Sequence, residues 1–245
     1  MKRLALLITS VALSSFASAT IWEFDLATAT PGSVGQNPGG GEVKDLKARY
    51  NDQSQELSYY VTFGRVPNST LRTDGYWLVM SPGDNPKGHA NELSIFYFDT
   101  TKAGGPRLTV NNYNGQNADN SYQGGDRIFS SLNALDQGRI RELYAFDRPN
   151  GDRTFGFKID ARSINAFKTN RDWTGAAFGQ RFGLWFHPVA GLTTSYSNGF
   201  LSGFGYQRSG WIDASNLTTQ AVPEPTTMVA LAAGGLALLR RKKSA

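Results

Sequence analysis

Acidic side chains could give this chain chemistry on sugars, because glycoside hydrolysis needs two carboxyl groups that flank the scissile bond. Glu23-Phe24-Asp25 begins a Glu-x-Asp-x-Glu pattern, in which alternate acids share one face of a strand. Residue 27 is Ala27, so the third acid of that pattern is missing. We therefore predict that the chain is not an enzyme and has no catalytic residues. The alternative is a glycoside hydrolase or lyase on the same scaffold.

Metal and nucleophile chemistry has few candidate residues. The chain has no cysteine, and His89 and His187 are its only histidines. Neither has a second histidine or a carboxylate at metal-ligand spacing, so no metal site and no cofactor are predicted. Ca²⁺ is the one candidate ion, because Asp119 and Asp126 lie with many carbonyl groups in a loop at 111–127 and Ca²⁺ prefers oxygen ligands. The alternative is a solvated, turn-rich loop.

Aromatic residues suggest a glycan contact without catalysis. Trp77 and Trp185 lie in segments that are apolar on both strand faces, and Tyr113 and Asn114 lie in the polar loop. One face of each strand is expected to fill a core. The other face then either carries exposed rings that stack on sugars or is covered by loops, since aromatic residues also dominate cores. These four residues are the candidate glycan contacts.

The strands that would position these residues follow from apolar residues alternating with polar ones. Arg153 to Asp160 alternates cleanly, and it pairs with Glu142 to Asp147 through a loop that contains Asn150-Gly151, a strong hairpin signal. A short helix is predicted near 163–168. The other predicted strands are 21–27, 43–50, 57–63, 76–81, 92–99, 106–112, 181–187 and 200–207.

This spacing of about ten strands predicts an all-β fold, an antiparallel β-sandwich. The order of segments, with Gly75 to Met80, Glu92 to Asp99 and Phe182 to Phe186 around the Asn150-Gly151 hairpin, resembles a concanavalin-like jelly roll. No lectin signature accompanies the resemblance, so it implies no binding residues.

The charge balance excludes one class of partner. Six of the 25 basic residues and one of the 20 acidic residues lie in the terminal segments, which leaves 19 of each sign between them. A nucleic-acid-binding domain shows a basic excess or stripe, so no nucleic-acid partner is predicted. With no cysteine there are no disulfides, and a hydrophobic core has to hold the fold.

The N-terminus has the pattern of a secretory signal peptide. Met1-Lys2-Arg3 is a basic start, Leu4 to Leu13 is an apolar stretch too short to span a bilayer, and Ala17-Ser18-Ala19 is an A-x-A cleavage site. We predict a signal peptide at 1–19, cleaved after Ala19, and a β-sandwich domain at 20–221.

The C-terminus predicts a second address. Val222-Pro223-Glu224-Pro225 breaks the chain, a transmembrane segment is predicted at 226–239, and a basic tail occupies 240–243. The twelve apolar residues from Met228 span about 18 Å as a helix, short of the roughly 30 Å hydrocarbon core. Basic residues favour the cytoplasmic side, which places the domain outside.

This tail resembles the PEP-CTERM sorting signal of Gram-negative bacteria. The resemblance covers 222–245, on the Pro-Glu-Pro motif, the apolar stretch and the pair Arg240-Arg241. It implies processing by an exosortase, a membrane-embedded cysteine protease, near Val222, Pro223, Glu224 and Pro225. It also implies export together with exopolysaccharide and biofilm systems.

Two hypotheses of function remain. The first is an exported, non-catalytic surface or matrix protein, held transiently in the inner membrane, that contacts exopolysaccharide. The second is the polysaccharide-acting enzyme. Replacing one or two carboxylates would abolish activity only in the second.

Overall fold

The computed structural model describes residues 19–29, 32–81, 86, 93–113, 118–124, 126–167 and 175–223. The signal-peptide residue Ala17, the candidate Asn114 and the tail from Glu224, including the predicted membrane segment and Arg240-Arg241, lie outside these residues. Within them, no helix is long and apolar enough to cross a membrane. Residues Thr20–Val222 form one compact unit.

The described chain is built almost wholly of antiparallel strands, joined by short 3-10 turns and two short helices. The helices are α1 (Ser121–Gly124) and α2 (Arg162–Ala166). The strands are β1 (Thr20–Asp25), β2 (Gly35–Asn37), β3 (Val43–Asn51), β4 (Glu56–Phe63), β5 (Thr73–Ser81), β6 (Ser94–Asp99), β7 (Arg107–Asn112), β8 (Arg127–Ser130), β9 (Ile140–Asp147), β10 (Arg153–Asp160), β11 (Arg181–Ala190), β12 (Thr193–Ser197), β13 (Phe200–Gly205), β14 (Arg208–Ser209), β15 (Trp211–Thr218) and β16 (Gln220–Pro223).

The strands form two large sheets and one small one. A six-stranded sheet has the order β16-β1-β3-β4-β10-β9. An eight-stranded sheet has the order β2-β15-β11-β5-β6-β7-β8, with β14 beside β11. The pair β12-β13 forms the third sheet. The all-β, antiparallel prediction is confirmed.

The two large sheets pack face to face around an aromatic core. Tyr59 of the six-stranded sheet lies 5.9 Å from Tyr76 of the eight-stranded sheet, between ring centroids. Phe63 and Phe186 approach to 6.1 Å, and Phe24 meets Phe182 at 5.4 Å. Such tilted and edge-on pairs stabilise beyond the area they bury. The arrangement is that of a β-sandwich.

The predicted hairpin is confirmed. Strands β9 and β10 pair in register from Arg153–Asp147 onward. In the turn, Gly151 has φ +86°, a conformation that costs glycine no steric penalty. Phe155, Phe157 and Ile159 all face the core, as their alternation indicates.

Six short or polar strands were not predicted from the sequence: β2, β8, β12, β14, β15 and β16. One of them had a readable signal. Asn198 and Gly199 both have positive φ, at 53° and 79°, and connect β12 to β13. Asn-Gly is the preferred sequence for such a two-residue turn. Strand β15 has no such mark, because its polar residues pair within a sheet that only the tertiary fold assembles.

Two tyrosine hydroxyls in the core predict a stability gain on their removal. The hydroxyls of Tyr59 and Tyr76 are buried without a hydrogen-bond partner among the described residues. Because an unsatisfied buried hydroxyl costs roughly 1–3 kcal/mol, we expect Tyr76→Phe to raise the free energy of unfolding in urea by about 1 kcal/mol. The control is Tyr97→Phe, which removes a hydroxyl that donates to the Ala118 carbonyl and should lose about 1 kcal/mol. A loss in both variants would contradict this account of Tyr76.

Candidate functional site

Trp77, a candidate glycan contact, lies on the outer face of the eight-stranded sheet but does not reach solvent. Its side chain is 1% exposed. The indole Nε1 donates to Oδ1 of Asp119 at 2.6 Å. Its ring stacks on His187 with centroids 4.1 Å apart and meets Trp185 edge-on at 4.6 Å. Every part of the ring system is therefore used inside the protein.

Tyr113 and Trp185 belong to the same cluster. Tyr113 is 1% exposed, and its ring lies 6.2 Å from that of Trp185 at an angle of 72°. Trp185 is half-buried. The expectation that Trp77 and Tyr113 offer exposed rings is thus wrong, because later segments of the chain cover this face. The alternative, a second face covered by loops, describes the structure.

One cover over this face is the segment at 118–124. The Tyr97 hydroxyl donates to the Ala118 carbonyl at 2.5 Å, and the Tyr97 ring meets that of Tyr122 edge-on at 5.7 Å. The Tyr206 hydroxyl donates to Oδ2 of Asp119 at 2.9 Å. Asp119 therefore receives the protein's own donors on both carboxylate oxygens. No group of three or more potential metal ligands occurs in the part of the chain that the structure describes.

The other cover is the hairpin β12-β13, which is anchored to the sheet by Asp99. This carboxylate is 1% exposed. Its Oδ2 accepts from the hydroxyls of Thr194 at 2.6 Å and Tyr196 at 2.8 Å. Its Oδ1 accepts from the amide and the hydroxyl of Thr101, both at 2.7 Å. Burial, and then the nearby Asp99, raise the pKa of the Tyr196 phenol, so it remains a donor.

The acids at the start of the domain are held in ion pairs. Asp25 Oδ2 lies 2.8 Å from Lys47 Nζ, and Glu23 Oε2 lies 3.8 Å from Arg49 Nε. The hydrogen bond from Lys47 lowers the pKa of Asp25. A general acid needs the opposite shift, so the geometry does not favour proton donation here.

The outer face of the six-stranded sheet is where aromatic rings reach solvent. Tyr60 of β4, Gly156 of β10 and Tyr144 of β9 are neighbours across three adjacent strands. Phe146 is 50% exposed, and its ring stacks on that of Tyr144 with centroids 6.0 Å apart. Tyr60, Tyr144 and Phe146 are called the aromatic face below.

Gly156 determines where the ring of Tyr144 lies. A Cβ on Gly156 would come within 2.3 Å of Tyr144 Cζ, so the ring occupies the space that a side chain would fill. Beside it, the Tyr60 hydroxyl accepts from the guanidinium of Arg148, whose Nε donates to the Thr154 hydroxyl at 2.8 Å. The ring of Tyr60 is therefore fixed in orientation.

A groove of about 200 Å³ runs along this face. Its lining includes Tyr60, Tyr144 and five charged side chains, which are Glu23, Lys47, Arg49, Glu142 and Lys158. The charges pair among themselves or with close neighbours. Lys158 Nζ, for example, lies 3.3 Å from Glu56 Oε1 and 3.9 Å from Glu142 Oε1. Burial, and then the charge of Glu142, raise the pKa of the Tyr144 phenol, which stays a neutral donor.

Sequence reasoning missed this face, although a signal was present. The strands β4, β9 and β10 were predicted, and alternation puts Tyr60, Tyr144 and Phe146 opposite the core-facing residues. Aromatic residues on a polar strand face mark a surface site more specifically than rings on a strand that is apolar on both sides. The position of Gly156 beneath Tyr144 needed the strand register as well.

The comparison with protein families finds one match, to the PEP-CTERM protein-sorting motif at residues 221–243. The predicted sorting signal is thereby confirmed, one residue longer at its start. The motif identifies the chain as a bacterial protein that is exported, transits the membrane and is processed by an exosortase. No significant match is found among curated proteins or solved structures.

Proposed function

We propose that the protein is a non-catalytic component of the cell surface or extracellular matrix of a Gram-negative bacterium, and that its β-sandwich contacts exopolysaccharide through the aromatic face. The sorting motif supports export and processing. The observation that carries the glycan contact is the exposed pair of Tyr144 and Phe146 on a flat sheet surface, beside the fixed ring of Tyr60.

The ligand that this face suits is an uncharged sugar chain. Tyrosine presents a flat apolar ring together with a polar hydroxyl, which matches a sugar with its apolar ring face and hydroxyl rim. The groove charges already have partners of opposite sign, such as Lys47 with Asp25 and Lys158 with Glu56. An acidic polymer would have to break these pairs, whereas neutral hydroxyls add hydrogen bonds to them.

The alternative, an enzyme on the same scaffold, would use the acids of this groove. Glu23 and Glu142 lie there, and each has a basic neighbour, Arg49 at 3.8 Å and Lys158 at 3.9 Å. Neither arrangement resembles a buried, protonated acid facing an ionised one. The proposal therefore assigns these residues to binding and not to bond cleavage.

Binding to soluble neutral polysaccharides, in parallel with alginate as the acidic probe, tests the proposal. We expect the domain to be retarded by a neutral polymer in affinity electrophoresis and the double variant Tyr144→Ala/Phe146→Ala to lose affinity at least about tenfold, equivalent to 1.4 kcal/mol. Gly156→Ala should weaken binding too, because its Cβ displaces the Tyr144 ring.

The matched control is Trp211→Ala, which removes an aromatic residue that is 41% exposed on the other sheet. It should bind like the parent protein. Binding that survives the double variant, or no binding to any polymer of a broad neutral panel, would refute the aromatic face as a glycan site.

A further inference from the structure

The sorting motif and the folded domain share residues. The matched motif begins at residue 221, and β16 comprises Gln220–Pro223. This strand is the edge of the six-stranded sheet and lies beside β1. Ala221, Val222 and Pro223 therefore belong to the processing signal and to the sheet at once.

The chain is held firmly just before this strand. It leaves the eight-stranded sheet at the end of β15 and enters the six-stranded sheet with β16, with Thr219 between them. The Thr219 amide donates to the Gln180 carbonyl at 2.9 Å, and its hydroxyl donates to the Gly179 carbonyl. Thr219 and Leu217 are both buried. Peeling β16 from β1 would pull on this anchored crossing between the sheets.

A protease that takes an extended substrate needs the backbone groups that a paired strand already uses. Extended peptides bind by main-chain hydrogen bonds, and a strand within a sheet offers them only after local opening. The peptide bonds from Gln220 to Pro223 lie inside β16. Pro223 has no amide hydrogen to donate to a ladder and ends the strand. The compact unit likewise ends at Val222.

We propose that the exosortase cuts on the C-terminal side of Pro223 and that the mature domain keeps β16 as its edge strand. In this step the peptide C–N bond breaks, the acyl carbon of the last retained residue bonds to the oxygen of water, and the nitrogen leaves as the protonated amine of the tail. The inference rests on processing of the sorting motif and is independent of the glycan contact.

Mass spectrometry of the processed protein tests this directly. The full chain is co-expressed with an exosortase, and the exported form is analysed as intact protein and by its C-terminal peptide. We expect the last residue to be Pro223 or a residue after it. A mature form that ends at Val222 or earlier overturns the inference, and so does an exported form that still ends in Ala245.

Two variants of Gln220 separate a cut beyond the strand from a cut that needs the strand to peel. Gln220 is exposed in β16 and lies outside the matched motif. Gln220→Val strengthens the strand by β-propensity and Gln220→Gly weakens it. We expect both to be processed within twofold of the parent rate in a pulse-chase measurement. Faster processing of the glycine variant together with slower processing of the valine variant, by severalfold, would show that β16 must open and overturns the inference.

Discussion

Replacing Asp99 by alanine is expected to lower the free energy of unfolding by about 3 kcal/mol or more, because it leaves several buried donors without an acceptor. Its two oxygens accept from Thr101, Thr194 and Tyr196, within a side chain that is almost fully buried. Urea denaturation measures the loss. Hydrogen exchange should show its largest increase in β12 and β13, the hairpin that Asp99 anchors.

Two further variants make this prediction specific. Asp99→Asn keeps the size and one carbonyl oxygen, and hydroxyls can turn to accept from its amide, so its loss should be smaller. Asp45→Ala removes a half-buried carboxylate from the outer face of the other sheet and should stay within about 0.5 kcal/mol of the parent. An Asp99→Ala protein as stable as the parent would mean that the hairpin is held by other contacts.

Replacing Trp77 by alanine should cost about 4 kcal/mol, in the range measured for fully buried large aromatic residues. The change empties the space between His187 and Trp185 and removes the donor that Asp119 accepts from. Thermal and urea unfolding both measure it. The result would separate a structural role of Trp77 from the sugar-stacking role that its sequence environment suggested.

Tryptophans of differing burial provide the comparison. Trp185 is half-buried, so Trp185→Ala should cost less than Trp77→Ala. Trp211 is exposed at the start of β15, and Trp211→Ala should cost under about 1 kcal/mol. Equal losses at Trp77 and Trp211 would contradict the burial that the structure assigns to the outer face of the eight-stranded sheet.

The two large sheets therefore differ in what their outer faces do. On the eight-stranded sheet, the segment at 118–124 and the hairpin β12-β13 cover Trp77 and Tyr97. On the six-stranded sheet, Tyr60, Tyr144 and Phe146 keep access to solvent along a groove. A surface protein that holds polymer chains needs one such open face, and this fold leaves it on the six-stranded sheet.

Local sequence alone determined the features that depend on neighbouring residues. The alternation of Phe155, Phe157 and Ile159 with polar residues identified β10 and its core face, and Asn150-Gly151 identified the turn before it, since strand period and turn preference are local properties. The sorting signal was readable for the same reason: a breaker, an apolar stretch and a basic end act as a contiguous string.

Only the tertiary structure decided which strand faces remain open. Periodicity tells which residues share a face, but the cover comes from elsewhere in the chain: Asp119 is 42 residues from Trp77, and Tyr196 is 97 residues from Asp99. The same limit explains β16, whose few polar and small residues form a strand because β1, some two hundred residues earlier in the sequence, offers them a partner. Pairing and covering are long-range contacts, and their free energy depends on surfaces that exist only once the sheets have assembled.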